Sequence, residues 1–69
     1  MPATHLTKTQ LVERMDAMRL ERGLTQLQAV VEIGITLTTY NGFRTQRRDP
    51  ETMSDIVEAK IRRWLAEGD

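Results

Sequence analysis

The same local pattern occurs twice in this chain: Thr7 stands three residues before Gln10, and Thr25 three residues before Gln28. A threonine hydroxyl that accepts the third helical N–H, with a glutamine amide reaching back, satisfies two donors that a helix start leaves free. Each pattern runs into apolar residues at helical spacing and then meets a glycine, Gly23 or Gly34. Glycine takes the left-handed conformation that ends a helix at little steric cost. The chain is thereby cut into short helices.

Leu11, Met15 and Met18 follow the i, i+4, i+7 rule, so a first helix is expected over about 8–22. The second is expected over about 26–33. Thr36 caps a third over about 37–45, weakened by Gly42, which costs about 1 kcal/mol relative to alanine. Asp49-Pro50 reads as an N-cap followed by the favoured first-turn proline, and Glu51 adds a favourable charge. They open a fourth helix over about 50–66, with Met53, Ile56, Val57, Ile61, Trp64 and Leu65 as its apolar stripe. Thr36 to Tyr40 has a strand-like composition but no partner strand elsewhere. The expectation is an all-α chain forming one domain over 1–69, with residues 1–7 flexible.

The 69 residues include no cysteine, so a disulfide scaffold and thiolate metal sites are excluded. The one histidine, His5, lies in the segment expected to fray. No nucleophile–base pair, metal cluster or glycine-rich phosphate loop is readable. Chains this short support a core worth roughly 3–5 kcal/mol, a poor platform for a deep catalytic cleft. A non-enzymatic binding module is therefore expected, with no cofactor and no small-molecule substrate. No apolar run exceeds three residues, which predicts neither a membrane span nor a signal peptide.

Ten basic and ten acidic side chains cancel, but not locally. Residues 1–32 sum to zero. Residues 33–48 carry Arg44, Arg47 and Arg48 with no acid, a net of +3, and residues 49–69 carry a net of −3. Such a local basic patch decides where phosphates are drawn, although three arginines alone are equally consistent with a solvated face.

Two short helices joined at a glycine suggest helix-turn-helix geometry. That motif wants small or apolar residues at its fourth, fifth and eighth places. It wants glycine at the ninth and apolar residues at the tenth, fifteenth and eighteenth. Counting from Gln26 gives Ala29, Val30, Ile33, Gly34, Ile35, Tyr40 and Phe43, and only Val30 is larger than usual. Counting from Thr25 leaves only Ala29 in place. In the better register the chain resembles the phage repressor and Cro-type helix-turn-helix family over about residues 10–66. The stretch from Arg19 to Gln26 is similar to the end of that family's first helix and the start of its second. Gly34-Ile35-Thr36 is similar to its turn, and Arg47-Arg48-Asp49-Pro50 to its following loop.

The chain departs from the pattern at three places. Val30 replaces a small residue, and Gln46 replaces the usual loop glycine. Arg44 stands where many relatives carry a glutamate that pairs with an arginine at the position of Arg19. Either both arginines reach phosphates here, or an acid elsewhere pairs with one of them.

At about 100° per residue, Tyr40 and Phe43 share one face of the third helix with Thr36. Thr38, Asn41 and Thr45 fall within about 40° of the opposite side, flanked by Leu37 and Gly42. This outer face carries no acid, as entry into a major groove requires. Asn41 has the chemistry to read adenine, Thr38 to hydrogen bond or meet a thymine methyl, and Leu37 to meet that methyl. The plain alternative for Asn41 and Thr38 is solvation. Gln26 either caps its helix or holds a phosphate beside free backbone N–H groups. Gly42 either admits a DNA backbone closely or merely weakens its helix.

The resemblance implies a small four- to five-helix domain of lambda-repressor-like type. It implies a transcriptional regulator, phage-derived, that represses by occupying operator DNA in the cytoplasm of a bacterial host. Leu37, Thr38 and Asn41 are then the base-contacting residues. Gln26, Thr36, Arg44, Thr45, Arg47 and Arg48 are the phosphate contacts, joined by Arg19 on the strength of the resemblance. The expected partner is double-stranded DNA, bound by a weak homodimer, with Trp64 serving either the core or the dimer contact. The rival expectation is a protein-interaction module, antitoxin- or anti-repressor-like, that reuses the fold without DNA.

Overall fold

The computed structural model describes residues 6–68. Both Thr-x-x-Gln patterns close as capping boxes. Thr7 Oγ1 accepts from the Gln10 N–H at 3.1 Å while Gln10 Oε1 accepts from the Thr7 N–H at 2.9 Å. Thr25 and Gln28 repeat the exchange at 3.0 and 2.8 Å. They start α1 (Lys8–Glu21) and α2 (Gln26–Ile33). α1 stops at Gly23, whose φ of 67° lets the Gly23 and Leu24 N–H groups reach the Leu20 and Arg19 carbonyls. α2 stops at Gly34, at φ 92°. Two residues later Thr36 caps α3 (Leu37–Arg44) by accepting the Thr39 N–H at 3.1 Å. α4 is Asp55–Gly68. The chain is all-helical, with no strand among the described residues.

The segment expected to open the last helix is built differently. Asp49-Pro50 starts a separate 3₁₀ turn, Pro50–Thr52, and Asp49 caps it by accepting the Glu51 N–H at 3.0 Å. Met53 is then extended (φ −60°, ψ 131°) and 3% exposed. The Lys8 ammonium donates to its carbonyl at 3.2 Å. Burying Met53 beneath α1 breaks the helix there. A new start follows at Ser54, whose hydroxyl accepts the Val57 N–H. Ile56, counted in the apolar stripe, is 70% exposed.

Leu6 and Thr7, the described part of the start expected to be flexible over 1–7, are held in place. Leu6 packs against the core, the Arg62 guanidinium donates to its carbonyl at 2.9 Å, and Thr7 caps α1. His5 and the rest of 1–5 lie outside the described residues.

One apolar cluster holds the four helices together. Leu11, Met15 and Met18 of α1 meet Ile61, Trp64 and Leu65 of α4, and Tyr40 and Phe43 of α3 enter from the side with Ile33. Val30 is accommodated in that cluster at 3% exposure. Trp64 belongs to the core: it is buried, and its indole N–H donates to Glu32 at 3.1 Å. The described backbone spans 26 × 25 × 17 Å. No helix among the described residues is long and apolar enough to cross a membrane.

After α3 the chain turns through Gln46 at φ 65°, where the resemblance expects glycine. A non-glycine residue in this region costs about 1–2 kcal/mol, and glycine returns part of that in unfolded-state entropy. Gln46→Gly is therefore expected to stabilise the fold by up to about 1 kcal/mol. That is several degrees in melting temperature for a domain of this size. Thermal unfolding followed by circular dichroism checks this, and an unchanged or lower midpoint counts against a left-handed Gln46.

Candidate nucleic-acid interface

α3 is oriented by its inward face. Tyr40 is fully buried and Phe43 nearly so. Burying them turns Thr38, Asn41, Gly42 and Thr45 outward. With Gln26 from α2 and Arg44, Arg47 and Arg48, these residues line one open depression of about 690 Å3. No carboxylate lines it. The side chains of Arg47 and Arg48 make no ion pair or hydrogen bond among the described residues, so their guanidinium donors are unspent.

Gln26 is the first residue of α2 and is half-buried. The capping box employs the N–H groups of Thr25 and Gln28, leaving those of Gln26 and Leu27 without acceptors among the described residues. Two free N–H groups at a helix start, beside an amide side chain, suit an anion. Asn41 is half-buried, and its Oδ1 accepts a long, 3.5 Å contact from Arg44. Thr45 donates its hydroxyl to the Asn41 carbonyl at 2.6 Å, which leaves its methyl and lone pairs for the depression.

Three of the expected contact residues stand elsewhere. Leu37 is 38% exposed at the first position of α3, outside the depression. Thr36 is also outside, and its hydroxyl is committed to the cap and to Thr39 Oγ1 at 2.8 Å. Arg19 is the clearest correction. Its Nε donates to Tyr40 Oη at 2.9 Å and to Asp16 Oδ1 at 3.2 Å, and its Nη1 donates to the Leu24 carbonyl at 3.0 Å. Three internal acceptors hold this guanidinium toward the core and take two of its five N–H donors, so fewer are left for a phosphate than the resemblance implies.

Asp16 is thus the acid that pairs with Arg19. Tyr40 completes the group by donating to Asp16 Oδ1 at 2.5 Å. Its pKa is pushed up to about 12, by burial first and by the bond to Asp16 second, with Arg19 opposing. The group ties the buried side of α3 to α1, so it helps set the angle at which the outer face is presented. Sequence reading missed both Asp16 and Tyr40 in this role. The available sign was Asp16 lying one turn before Arg19 on the same helix.

Gly42 is explained by a neighbour in the same chain. A Cβ there would lie 3.1 Å from Arg48 Cδ and 3.2 Å from Cγ. The Arg48 N–H also donates to the Gly42 carbonyl at 2.9 Å. The arginine stem therefore lies directly against α3 where glycine leaves room. Compared with protein-family models, curated proteins and solved structures, the chain matches none of them.

Proposed function

We propose that this chain is a sequence-specific double-stranded DNA-binding regulator of the Cro and repressor type, acting by occupying operator DNA. The observation that carries the reading is the carboxylate-free depression: Thr38, Asn41 and Thr45 of one helix face beside Arg44, Arg47 and Arg48. Phosphates are attracted to such a face, and the neutral side chains at its centre have base-reading chemistry. α3 enters the major groove, and the start of α2 abuts the backbone, as helix-turn-helix docking requires.

The direct test is a backbone amide NMR titration with mixed-sequence duplex at low salt. Shifts concentrated in residues 26–27 and 36–48, reversed by added salt, are expected. An unresponsive spectrum rejects the reading. Once a preferred site is selected, Asn41→Ala is expected to lose about 1–3 kcal/mol at particular base pairs. Arg47→Ala is expected to weaken all duplexes alike and to lower the salt-dependence slope by about one. Equal losses for Asn41→Ala on selected and random DNA contradict its assigned role.

A second reading, a protein-interaction module on the same fold, draws on Leu27 and Val31. They lie one turn apart on α2 and are 61% and 73% exposed. That reading expects the same titration to be silent, and a partner to perturb α2 instead.

A further inference from the structure

The outer face of α3 offers an adenine-type reader in Asn41 and hydroxyls in Thr38 and Thr45, and the one guanidinium of the helix, Arg44 at its last position, already contacts Asn41. Guanine presents two acceptors to the major groove, and the guanidinium fork is the group that meets both. Arg48 comes from the loop beyond the helix, where arginines ordinarily serve as phosphate contacts. Its stem does not extend away into solvent. Gly42 removes the one side chain that would occupy that strip of helix, and Arg48 Cγ and Cδ fill it at 3.2 and 3.1 Å from where a Cβ would stand. The backbone bond from Arg48 to the Gly42 carbonyl fixes the root of the same side chain. The Arg48 side chain lines the same depression as Asn41, and its guanidinium makes no ion pair or hydrogen bond among the described residues.

We infer that Arg48 is a specificity-determining residue: seated on Gly42, it extends the reading face of α3 and recognises a guanine in the bound site. This rests on the DNA-binding reading above. A stem held against the helix loses less freedom on binding than a free arginine does. Arg44 lacks such a seat and spends a donor on Asn41. Arg47 has no contact that would aim it at a base. Gly42 and Arg48 thus form one device, in which the glycine that weakens α3 serves as a slot.

The test starts from a duplex site selected by the wild-type protein out of randomised sequence. Affinities are then measured at one salt concentration for that site, for versions with each G·C pair replaced by A·T, and for a random duplex. Arg48→Ala is expected to lose roughly ten-fold or more on the selected site and only a few-fold on random DNA. It is also expected to stop discriminating at one G·C pair. Arg48→Lys keeps the charge without the fork, so it is expected to hold random-duplex affinity and lose the same discrimination. Gly42→Ala fills the slot while favouring the helix, so it is expected to relax the same base pair with no fall in melting temperature. Equal losses for Arg48→Ala on selected and random DNA overturn the inference and return Arg48 to a phosphate role, leaving the DNA reading intact. Unchanged discrimination in Gly42→Ala overturns the slot. A wild-type protein that binds no duplex at low salt overturns both readings together.

Discussion

Replacing Trp64 by alanine is expected to leave the chain mostly unfolded at 25 °C. The indole is 4% exposed and lies where three elements converge. Its N–H donates to Glu32 of α2, the Arg22 guanidinium at the end of α1 lies 5.6 Å from its ring centroid, and Arg22 itself pairs with Glu32 at 3.4 Å. Truncating a buried aromatic costs about 3–5 kcal/mol. A core of this size supplies only roughly that much in total. Trp64→Phe keeps most of the volume and loses the bond to Glu32, so it is expected to fold with a lowered midpoint. Urea titration followed by far-ultraviolet circular dichroism separates the two variants. A cooperative Trp64→Ala transition close to wild type would place the indole outside the stabilising core.

The second large effect is alkaline. Tyr40 is the only tyrosine in the chain, and its pKa stands near 12 in the fold against about 10 when free. A raised folded pKa means that the fold favours the protonated phenol. That contribution is complete below about pH 10, declines as pH rises through 10, and is gone near 12. Linkage puts it at roughly 2–3 kcal/mol, a large share of what so small a domain has. Stability is therefore expected to fall steeply between pH 10 and 12, with tyrosinate absorbance appearing as the helices unfold. Tyr40→Phe is expected to remove that part of the slope. It costs about 1–2 kcal/mol at neutral pH, because Asp16 and Arg19 keep each other as partners. Since Lys8 and Lys60 are present in both proteins, comparing the two isolates the phenol. Superimposable alkaline profiles would contradict the Asp16–Tyr40–Arg19 arrangement.

The parts of this fold that sequence reading located are those decided within one turn of chain. A threonine and a glutamine three apart exchange bonds regardless of what packs above them, and glycine ends a helix by its own conformational freedom. The faces of α3 followed from period alone, which is why Thr38, Asn41 and Thr45 were found together. The start of α4 was misplaced because Asp49-Pro50 serves a 3₁₀ turn as well as it serves an α-helix. What decides between them is the seat of Met53 under α1, a contact across the fold. Ile56 is a different kind of miss. At about 100° per residue it lies about 140° from Ile61 and opposite Leu65, so its exposure was legible in the spacing. The Arg48–Gly42 contact and the meeting of Tyr40 with Asp16 and Arg19 join residues from separate elements, and of these only the Asp16–Arg19 step is written in the spacing.

The segregation of charge has a consequence for how a protein with no net charge would behave near a polyanion. At physiological ionic strength a field decays over about 8 Å. The backbone alone is 17 Å thick in its thinnest direction. Within that thickness the acids are not all distant: Asp49 and Glu51 closely follow Arg48, while Asp55, Glu58 and Glu67 of α4 are matched in number by Lys60, Arg62 and Arg63 of the same helix. A phosphate arriving at the arginines therefore meets Asp49 and Glu51 on the same stretch of chain, and α4 adds no net charge behind them. To that phosphate the attraction is local to Arg44, Arg47 and Arg48, and no whole side of the molecule acts as a cation. Encounter would then be steered only at close range, and diluting the salt would lengthen the reach of the arginines and of their neighbouring acids together.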